Sequence, residues 1–262
     1  MPFPPIQNWA LITGTSSGFG VDYARQLAAQ GKSLILAARS LEPMQALADE
    51  LRAAHGVQVV VETIDLARPG VGAELKSRLD ARGIVVDLLI NNAGYGLFGD
   101  FLDQPLERTL DMLQLNMLSL TELTHVFADD MARRGGGRIL LVSSIGAYQA
   151  TPGYAAYSAS KAYVLLFGEA LHEELAARGV TVTVLSPGIT ATRFLAVSGQ
   201  RPTLYQRLVM MRSDAVARIG LRALAAGRAS IVPGWSNALT VFLNRLTPRI
   251  FERKLAGLLM QN

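Results

Sequence analysis

The chain contains no cysteine, and its three histidines are far apart in the sequence. Without cysteine there can be no disulfide bond, no thiol nucleophile and no cysteine-ligated zinc site. His55, His125 and His172 also lack the spacing of metal ligands. We therefore expect no metal site, and zinc-dependent chemistry is disfavoured.

Long apolar runs are also missing, so no segment is predicted to span a bilayer. Residues 1–6 show no basic region followed by an apolar run, which argues against a signal peptide. The net charge is +4, but the basic residues are dispersed and form no nucleic-acid-binding motif. We expect a cytoplasmic protein that does not bind nucleic acid.

Short apolar runs alternate with helical patterns along all 262 residues, and half of the residues are hydrophobic. No linker, repeat or low-complexity tract divides the chain, so we predict one domain over residues 1–262. Such alternation is typical of an α/β fold, here a Rossmann-type doubly wound parallel sheet of about seven strands with helices on both faces. The longest helix is predicted at Tyr154–Arg178. Strands are predicted at residues 9–13, 33–38, 57–64, 86–90, 138–143, 180–185 and 229–232.

A glycine-rich loop follows the first predicted strand and opens a helix, which is the context of a dinucleotide-binding fingerprint. Its three glycines would allow a tight turn, close approach of a pyrophosphate, and packing of the helix on the strand. The free N–H groups at the start of the helix favour phosphate. The predicted cofactor-binding loop comprises Gly14, Thr15, Ser16, Ser17, Gly18, Phe19 and Gly20.

The end of the second strand indicates which dinucleotide is bound. An acid there would bind the ribose 2′-hydroxyl of NAD and repel the 2′-phosphate of NADP. This chain has Arg39 and Ser40 instead, with no acid. Because the planar fork of arginine suits phosphate, we predict that NADP(H) is preferred over NAD(H).

Tyr157 and Lys161 are four residues apart in the longest predicted helix, so both side chains lie on one face. A nearby cation favours the phenolate form and lowers the pKa of a tyrosine. A tyrosine tuned in this way can act as a general acid or base. The pair alone would be weak evidence, but it occurs together with the glycine loop.

The G-x-x-x-G-x-G spacing, taken with Tyr157 and Lys161, resembles the short-chain dehydrogenase/reductase family from about Trp9 to Thr192. The resemblance implies two further catalytic residues. Ser144, thirteen residues before Tyr157, would polarise the substrate oxygen, with Ser143 as the adjacent alternative. Asn116 would interrupt a regular helix turn and hold a water that links to Lys161.

The same resemblance assigns cofactor contacts at the ends of three other strands. After the third strand, the family places an aspartate beside the adenine ring. After the fourth, it lines the adenosine side, and after the sixth it holds the nicotinamide carboxamide. In this sequence the corresponding residues are Asp65, Leu66, Asn92, Ala93, Gly94, Pro187, Gly188, Thr190 and Thr192.

These residues predict hydride transfer between NADP(H) and a carbonyl or alcohol, with Tyr157 as general acid or base. Residues 193–228, with segments near 95–98 and 145–154, would form a substrate side suited to an apolar or amphipathic small molecule. A non-catalytic nucleotide-binding regulatory protein of the same fold is the alternative. A sugar-nucleotide epimerase is disfavoured, because its G-x-x-G-x-x-G loop and larger C-terminal domain are absent.

Two expectations concern surfaces. The helix that carries Tyr157 is apolar on most sides, and the family often pairs it across a two-fold axis, so we expect a homodimer or homotetramer. The C-terminal extension, residues 235–262, is predicted to form helices at Trp235–Leu246 and Pro248–Met260. We favour an apolar cover or docking element there over peripheral contact with an anionic membrane.

Overall fold

The structure is a computed structural model that describes residues 9–201 and 203–260. The N-terminal residues on which the signal-peptide expectation rests lie outside this part of the chain. A parallel seven-stranded sheet runs in the order β3-β2-β1-β4-β5-β6-β9, and β7 and β8 form a separate short pair. The strands are β1 (Trp9–Thr13), β2 (Ser33–Ala38), β3 (Val59–Thr63), β4 (Val86–Asn91), β5 (Gly137–Val142), β6 (Val180–Leu185), β7 (Thr190–Ala191), β8 (Met211–Arg212) and β9 (Ser230–Ile231).

Helices cover both faces of this sheet. The helices are α1 (Phe19–Ala28), α2 (Leu41–His55), α3 (Val71–Asp80), α4 (Leu106–Leu113), α5 (Leu120–Arg133), α6 (Ala155–Ala176), α7 (Phe194–Ser198), α8 (Leu204–Val209), α9 (Ser213–Ala225), α10 (Trp235–Asn244) and α11 (Arg249–Met260). Helices α1, α2 and α9 bury their apolar stripes on one face, and α3, α5 and α6 bury theirs on the other. The predicted doubly wound α/β fold is confirmed.

The protein has two hydrophobic cores, one on each face of the sheet, because successive side chains of a strand point to opposite faces. In β1, Ala10 and Ile12 face one core, whereas Leu11 faces the other. A strand that is buried on both faces is apolar along most of its length, and β1 is apolar from Trp9 to Ile12. Burial of this kind is the main favourable term for the fold, at about 25 cal/mol per Å² of apolar surface.

The strand order reverses between β1 and β4. From β1 the chain proceeds outward through β2 and β3, and it then crosses back to place β4 on the other side of β1. The loops that leave β1 and β4 therefore diverge and leave a crevice at the carboxyl edge of the sheet. Open α/β sheets bind their ligands at such a switch point.

The observed elements are shorter than predicted at the sheet edges. Strand β3 covers 59–63 rather than 57–64, because β2 offers partners only from Leu34 to Ala38. Strand β9 has just two residues, paired with Val184 and Leu185. An apolar pattern shows which residues prefer burial, but the length of a strand depends on its neighbour. Within the described residues, no helix is long and apolar enough to cross a membrane.

Candidate active site

A cavity of about 640 Å³ lies at the switch point, at the carboxyl ends of the central strands. It brings together the glycine loop, the end of β2 and the predicted catalytic residues. Of the predicted site residues, Thr15, Gly20 and Asn116 do not line this cavity. Those that do are Gly14, Ser16, Ser17, Gly18, Phe19, Arg39, Ser40, Asp65, Leu66, Asn92, Ala93, Gly94, Ser144, Tyr157, Lys161, Pro187, Gly188, Thr190 and Thr192.

Gly20 lies behind the cavity, where α1 meets the turn that follows β1. A Cβ atom at this position would lie 2.3 Å from the carbonyl oxygen of Gly14, so no side chain fits. The close approach fixes the start of α1 against the loop. Its first N–H groups are thereby directed toward the cavity, in the arrangement that binds phosphate at helix N-termini.

Thr13, which the sequence analysis treated only as a strand residue, holds the two sides of the crevice together. Its buried hydroxyl accepts hydrogen bonds from the backbone N–H groups of Asn92 and Ala93, each at 2.9 Å. The Asn92 side chain donates to the Thr13 carbonyl, also at 2.9 Å. These bonds join the end of β1 to the end of β4, and only the structure reveals them.

Arg39 and Ser40 follow β2 at the edge of the cavity, and both are exposed. Ser40 is also the residue that precedes α2. Asp65 lies across the cavity after β3, where its carboxylate accepts a hydrogen bond from the N–H of Ala67 at 3.0 Å. An exposed guanidinium beside the glycine loop can reach a phosphate group bound there.

Asn116 is fully buried in a π-helical turn, Gln114–Ser119, that separates α4 from α5. Its amide donates to the Tyr95 carbonyl at 2.9 Å and to the Ser160 hydroxyl at 3.2 Å, and its oxygen accepts from the Tyr95 N–H at 3.2 Å. The interruption of the regular helix agrees with what the resemblance implied. Both amide donors are used within the protein, so a water at this position would have to be held by an oxygen.

Gly94 lies close to both Asn116 and Lys161. A Cβ atom there would lie 2.8 Å from Asn116 Oδ1 and 3.4 Å from Lys161 Nζ. A side chain at this position would therefore collide with the amide oxygen. Glycine lets the segment after β4 lie against both groups.

Lys161 is buried, and its Nζ donates a hydrogen bond to the Val142 carbonyl at 2.8 Å. The backbone carbonyl of Lys161 in turn accepts from the Ser143 hydroxyl at 2.7 Å. Helix α6 is thus joined to the end of β5 by two bonds. Ser143 and Ser144 both line the cavity. Because the Ser143 hydroxyl is used in this joint, Ser144 is the serine whose hydroxyl interacts with Tyr157.

Ser144 and Tyr157 interact across the wall of the cavity. Burial raises the pKa of Tyr157 above its usual value, a hydrogen bond with Ser144 lowers that pKa, and the neighbouring Tyr154 raises it. Burial also lowers the pKa of Lys161 from 10.5 to about 8.

These shifts differ from the expectation that Lys161 lowers the pKa of Tyr157. Lys161 Nζ lies 5.8 Å from the centre of the tyrosine ring and is directed to a backbone carbonyl. Burial disfavours the charged form of both groups, so it dominates at this distance. In the protein without ligand, Tyr157 is therefore a protonated phenol near neutral pH.

Aromatic rings wall the part of the cavity beside Tyr157. Its ring is 5.1 Å from that of Phe194 and 5.6 Å from that of Tyr154, between ring centres. The Tyr154 hydroxyl bonds to the Ser198 hydroxyl and to the Gln200 side chain, both at 2.9 Å. Tyr154 therefore holds the segment after β7 over Tyr157.

The turn after β6 closes the far side of the cavity. The Pro187 carbonyl accepts from the Ile145 N–H at 2.9 Å, which ties this turn to the residue after Ser144. The Thr190 hydroxyl donates to the Gly188 carbonyl, also at 2.9 Å. The turn is consequently held beside Ser144 and the segment that follows it.

Comparison with known proteins identifies the family. The sequence model of the family described as short chain dehydrogenase matches residues 8–202. The chain therefore belongs to the short-chain dehydrogenase/reductase family, and this part of the prediction is confirmed. It is accordingly an oxidoreductase of the hydride-transferring kind, with a site for a nicotinamide cofactor.

Similar proteins include enzymes named for large apolar substrates. The chain is 33% identical over 200 residues to a very-long-chain 3-oxoacyl-CoA reductase of Anas platyrhynchos, covering 74% of this chain and 64% of that protein. It is 29% identical to the 17-beta-hydroxysteroid dehydrogenase type 3 of Mus musculus. That alignment covers 93% of this chain and 77% of the mouse protein. The solved structure of a short-chain dehydrogenase from Sphingobium yanoikuyae in complex with NADPH is 32% identical in sequence, with a TM-score of 0.81. The superposition covers 91% of this chain and 94% of that one.

The burial of Lys161 predicts a pH-dependent stability. The folded pKa of about 8 lies below the ordinary value of 10.5, so unfolding takes up a proton between these values and stability rises with pH across this window. The lowering corresponds to about 3 kcal/mol. Lys161→Met removes this dependence. We expect wild type to gain about 2–3 kcal/mol in free energy of unfolding relative to the variant between about pH 7 and pH 10.

Urea unfolding of both proteins at each pH measures this difference. Lys76→Met is the matched control, because Lys76 forms an ion pair with Asp80 on the surface of α3. A difference between wild type and Lys161→Met that stays constant with pH would show that Lys161 is charged without penalty in the folded state.

Proposed function

We propose that the protein is an NADPH-dependent reductase of a carbonyl group on an apolar or amphipathic substrate, with Tyr157 as the proton donor. The observation that carries this proposal is the placement of Ser144, Tyr157 and Lys161 on the wall of the same cavity as the glycine loop. The cavity thus combines a phosphate cradle with a proton donor and a group that polarises a carbonyl.

The residues present fit a dinucleotide. Gly20 lets α1 start within contact of the loop, and Gly18 leaves the N-terminus of that helix without a side-chain cap. Its backbone N–H groups are therefore available to a pyrophosphate. Arg39 and Ser40 would hold the 2′-phosphate, and the turn at Pro187–Thr192 would hold the nicotinamide end. When bound, the cofactor supplies the hydride.

Tyr157 then carries the proton. Its hydroxyl is protonated near neutral pH, as a donor to a carbonyl oxygen that gains negative charge must be. Ser144 would donate its own hydrogen bond to that oxygen and stabilise the charge. The hydrogen bond with Ser144 also opposes the effect of burial by lowering the pKa of Tyr157.

Lys161 would restore the proton to Tyr157. With a pKa of about 8, Lys161 can exchange a proton near neutral pH, and Asn116 Oδ1 lies close to the same glycine as Lys161 Nζ. We propose that a water held by Asn116 connects Lys161 to solvent, and that the ammonium group also binds the nicotinamide ribose. Asn116 acts by positioning these groups, since its amide donors are bonded to Tyr95 and Ser160.

The residues that line the substrate side of the cavity favour a large apolar substrate. Phe194 and Tyr154 form the wall beside Tyr157, and Leu195 and Val197 also line the cavity. Such a wall binds carbon skeletons without strong demands on polar groups. The names of the duck and mouse relatives, an acyl-CoA reductase and a steroid dehydrogenase, point to substrates of similar character.

The alternative is a nucleotide-binding regulatory protein that has lost turnover. Such a protein would not need Asn116, Ser144, Tyr157 and Lys161 together. All four are present, and Asn116 is bonded to the backbone of Tyr95 on one side and to the Ser160 hydroxyl on the other. The geometry therefore favours the enzyme.

Replacement of the proposed proton donor should stop the chemistry. We expect Tyr157→Phe to lower turnover by about two to four orders of magnitude, the range of acid–base groups, while NADPH still binds. Tyr163→Phe is the control, since that hydroxyl bonds to Thr121 outside the cavity at 2.7 Å. Single-turnover reduction of a carbonyl substrate by NADPH gives the measurement. Near-normal turnover of Tyr157→Phe would remove this tyrosine from the mechanism.

Arg39 should decide between the two cofactors. Arg39→Asp removes a cation and adds repulsion against a phosphate, so NADPH affinity should fall by roughly ten- to hundredfold while NADH affinity changes little. Calorimetric titration of both cofactors checks this. The exposed Arg178, outside the cavity, provides the matched Arg178→Asp control. An equal loss for both cofactors would contradict the assignment.

We also propose that the chain forms a homodimer or homotetramer through α5 and α6. These helices are joined by the bond between Thr121 and Tyr163, and beside it Leu118 and Leu166 are 56% and 68% exposed. Leu166→Arg should place a charge in the interface and give smaller particles in light scattering at micromolar concentration. Leu41→Arg, on α2, is the control. A monomeric wild type would contradict the proposal.

A further inference from the structure

The two C-terminal helices expose large apolar side chains. We name six of the exposed apolar side chains on α10, on α11 and between them the tail patch. Trp235 is 81% exposed, Leu246 is 69% exposed and Phe251 is 65% exposed. On α10, Trp235, Leu239 and Phe242 follow the i, i+4, i+7 spacing of one helix face. The tail patch consists of Trp235, Leu239, Phe242, Leu246, Phe251 and Leu255.

The same helices turn polar and small residues toward the body of the protein. Asn237 donates to the Pro233 carbonyl at 2.8 Å, and Asn244 donates to the Gln149 side chain at 2.8 Å. On α11, Glu252 and Ala256 are the buried residues. A surface helix of a globular protein normally buries its apolar face and exposes its polar one. Here α10 buries Val241 beside Asn237, but most of the large apolar side chains described on both helices are exposed and remain available to a partner.

The charges beside the tail patch have one sign. Arg245, Arg249, Arg253 and Lys254 are all exposed, whereas Glu252 is buried. Over the described residues 235–260, no other acid occurs. The surface therefore combines exposed aromatic and aliphatic groups with four cations.

We propose that the tail patch binds the surface of an anionic lipid bilayer, with α10 and α11 lying in the interface. Aromatic and aliphatic side chains would enter the boundary between headgroups and acyl chains, and the four cations would meet lipid phosphates. Long basic side chains can reach headgroups while their stems cover apolar surface. Exposed apolar patches of this kind mark interaction sites.

Charge favours a bilayer over a second copy of the chain. Two tail patches placed face to face would bring eight cations together without an exposed acid from either helix pair, and like charges oppose such a contact. The apolar groups equally disfavour nucleic acid, which offers no apolar layer to receive them. An anionic bilayer satisfies both the apolar and the charged part of the surface.

The tail patch lies near the substrate side of the cavity, so binding to a bilayer would bear on the proposed reaction. Gln149 and Thr151 line the cavity, and α10 and α11 pack against the same segment, through Asn244 on Gln149 and Gly257 on Pro152. A bilayer at the tail patch would lie beside the substrate side of the cavity. The lipid-binding claim itself does not depend on the proposed reductase activity.

Vesicle flotation of the full chain tests this proposal. The probes are vesicles of phosphatidylcholine alone and of phosphatidylcholine mixed equally with phosphatidylglycerol. We expect wild type to float with the mixed vesicles at low salt and to be released as salt is raised. The double variant Phe242→Ser and Phe251→Ser should weaken partitioning by at least about tenfold, because both side chains are more than half exposed and belong to the tail patch.

A second set of variants in the same flotation experiment reverses the charge of the tail arginines. Arg249→Glu with Arg253→Glu should weaken partitioning by about fivefold or more. Arg178→Glu with Arg222→Glu changes the net charge equally outside the tail and should leave binding unchanged. Phe101→Ser with Leu102→Ser is the apolar control. Thermal melting confirms that each variant is folded, and if the phenylalanine pair fails this check, the arginine pair decides.

The proposal is overturned if wild type floats with neither vesicle, or if the tail variants bind as well as their controls. Equal binding to neutral vesicles, insensitive to salt, would also overturn the anionic assignment. If the tail variants instead convert an oligomer to a monomer in light scattering without changing flotation, the occupant is a second copy of the chain. NADPH turnover is not needed for any of these measurements.

Discussion

The joint between β1 and β4 is the constraint on which the site depends. The sheet reverses its order there, so two neighbouring loops diverge and open a crevice. The Thr13 hydroxyl holds the crevice at a fixed width by accepting two backbone hydrogen bonds from the β4 loop. The glycine loop on one side and the Asn92–Gly94 segment on the other are consequently placed around one cavity.

A second joint, between β5 and α6, places the side chains of Tyr157 and Lys161 on the wall of that cavity. It depends on a buried cation, since Lys161 donates to the Val142 carbonyl while Ser143 holds the Lys161 backbone. Burial of Lys161 lowers its pKa to about 8 and therefore costs stability at neutral pH. Burial also raises the pKa of Tyr157. Stability is thereby exchanged for a buried lysine whose pKa lies near neutral pH.

The sequence predicted the parts of this arrangement that short motifs encode. The glycine loop and the Tyr157–Lys161 pair are local patterns, and the alternation of strands and helices was enough for the doubly wound fold. Contacts between distant segments could not be predicted, as with Thr13 and the bonds from Tyr154 to Ser198 and Gln200. The shift in the pKa of Tyr157 was missed for the same reason, because it depends on burial by other segments. The tail helices were predicted, but periodicity alone does not say which helix face is turned outward.

The central claim is that the protein catalyses hydride transfer from a nicotinamide to a carbonyl carbon in this cavity. The most direct measurement uses NADPH labelled with deuterium at C4 of the nicotinamide, incubated with long-chain, steroid and small ketones. Mass spectrometry of the products then locates the label. The account predicts deuterium on the carbinol carbon of an apolar product. Tight binding of NADPH without transfer of label to any carbonyl would contradict it and favour a nucleotide-binding regulatory protein.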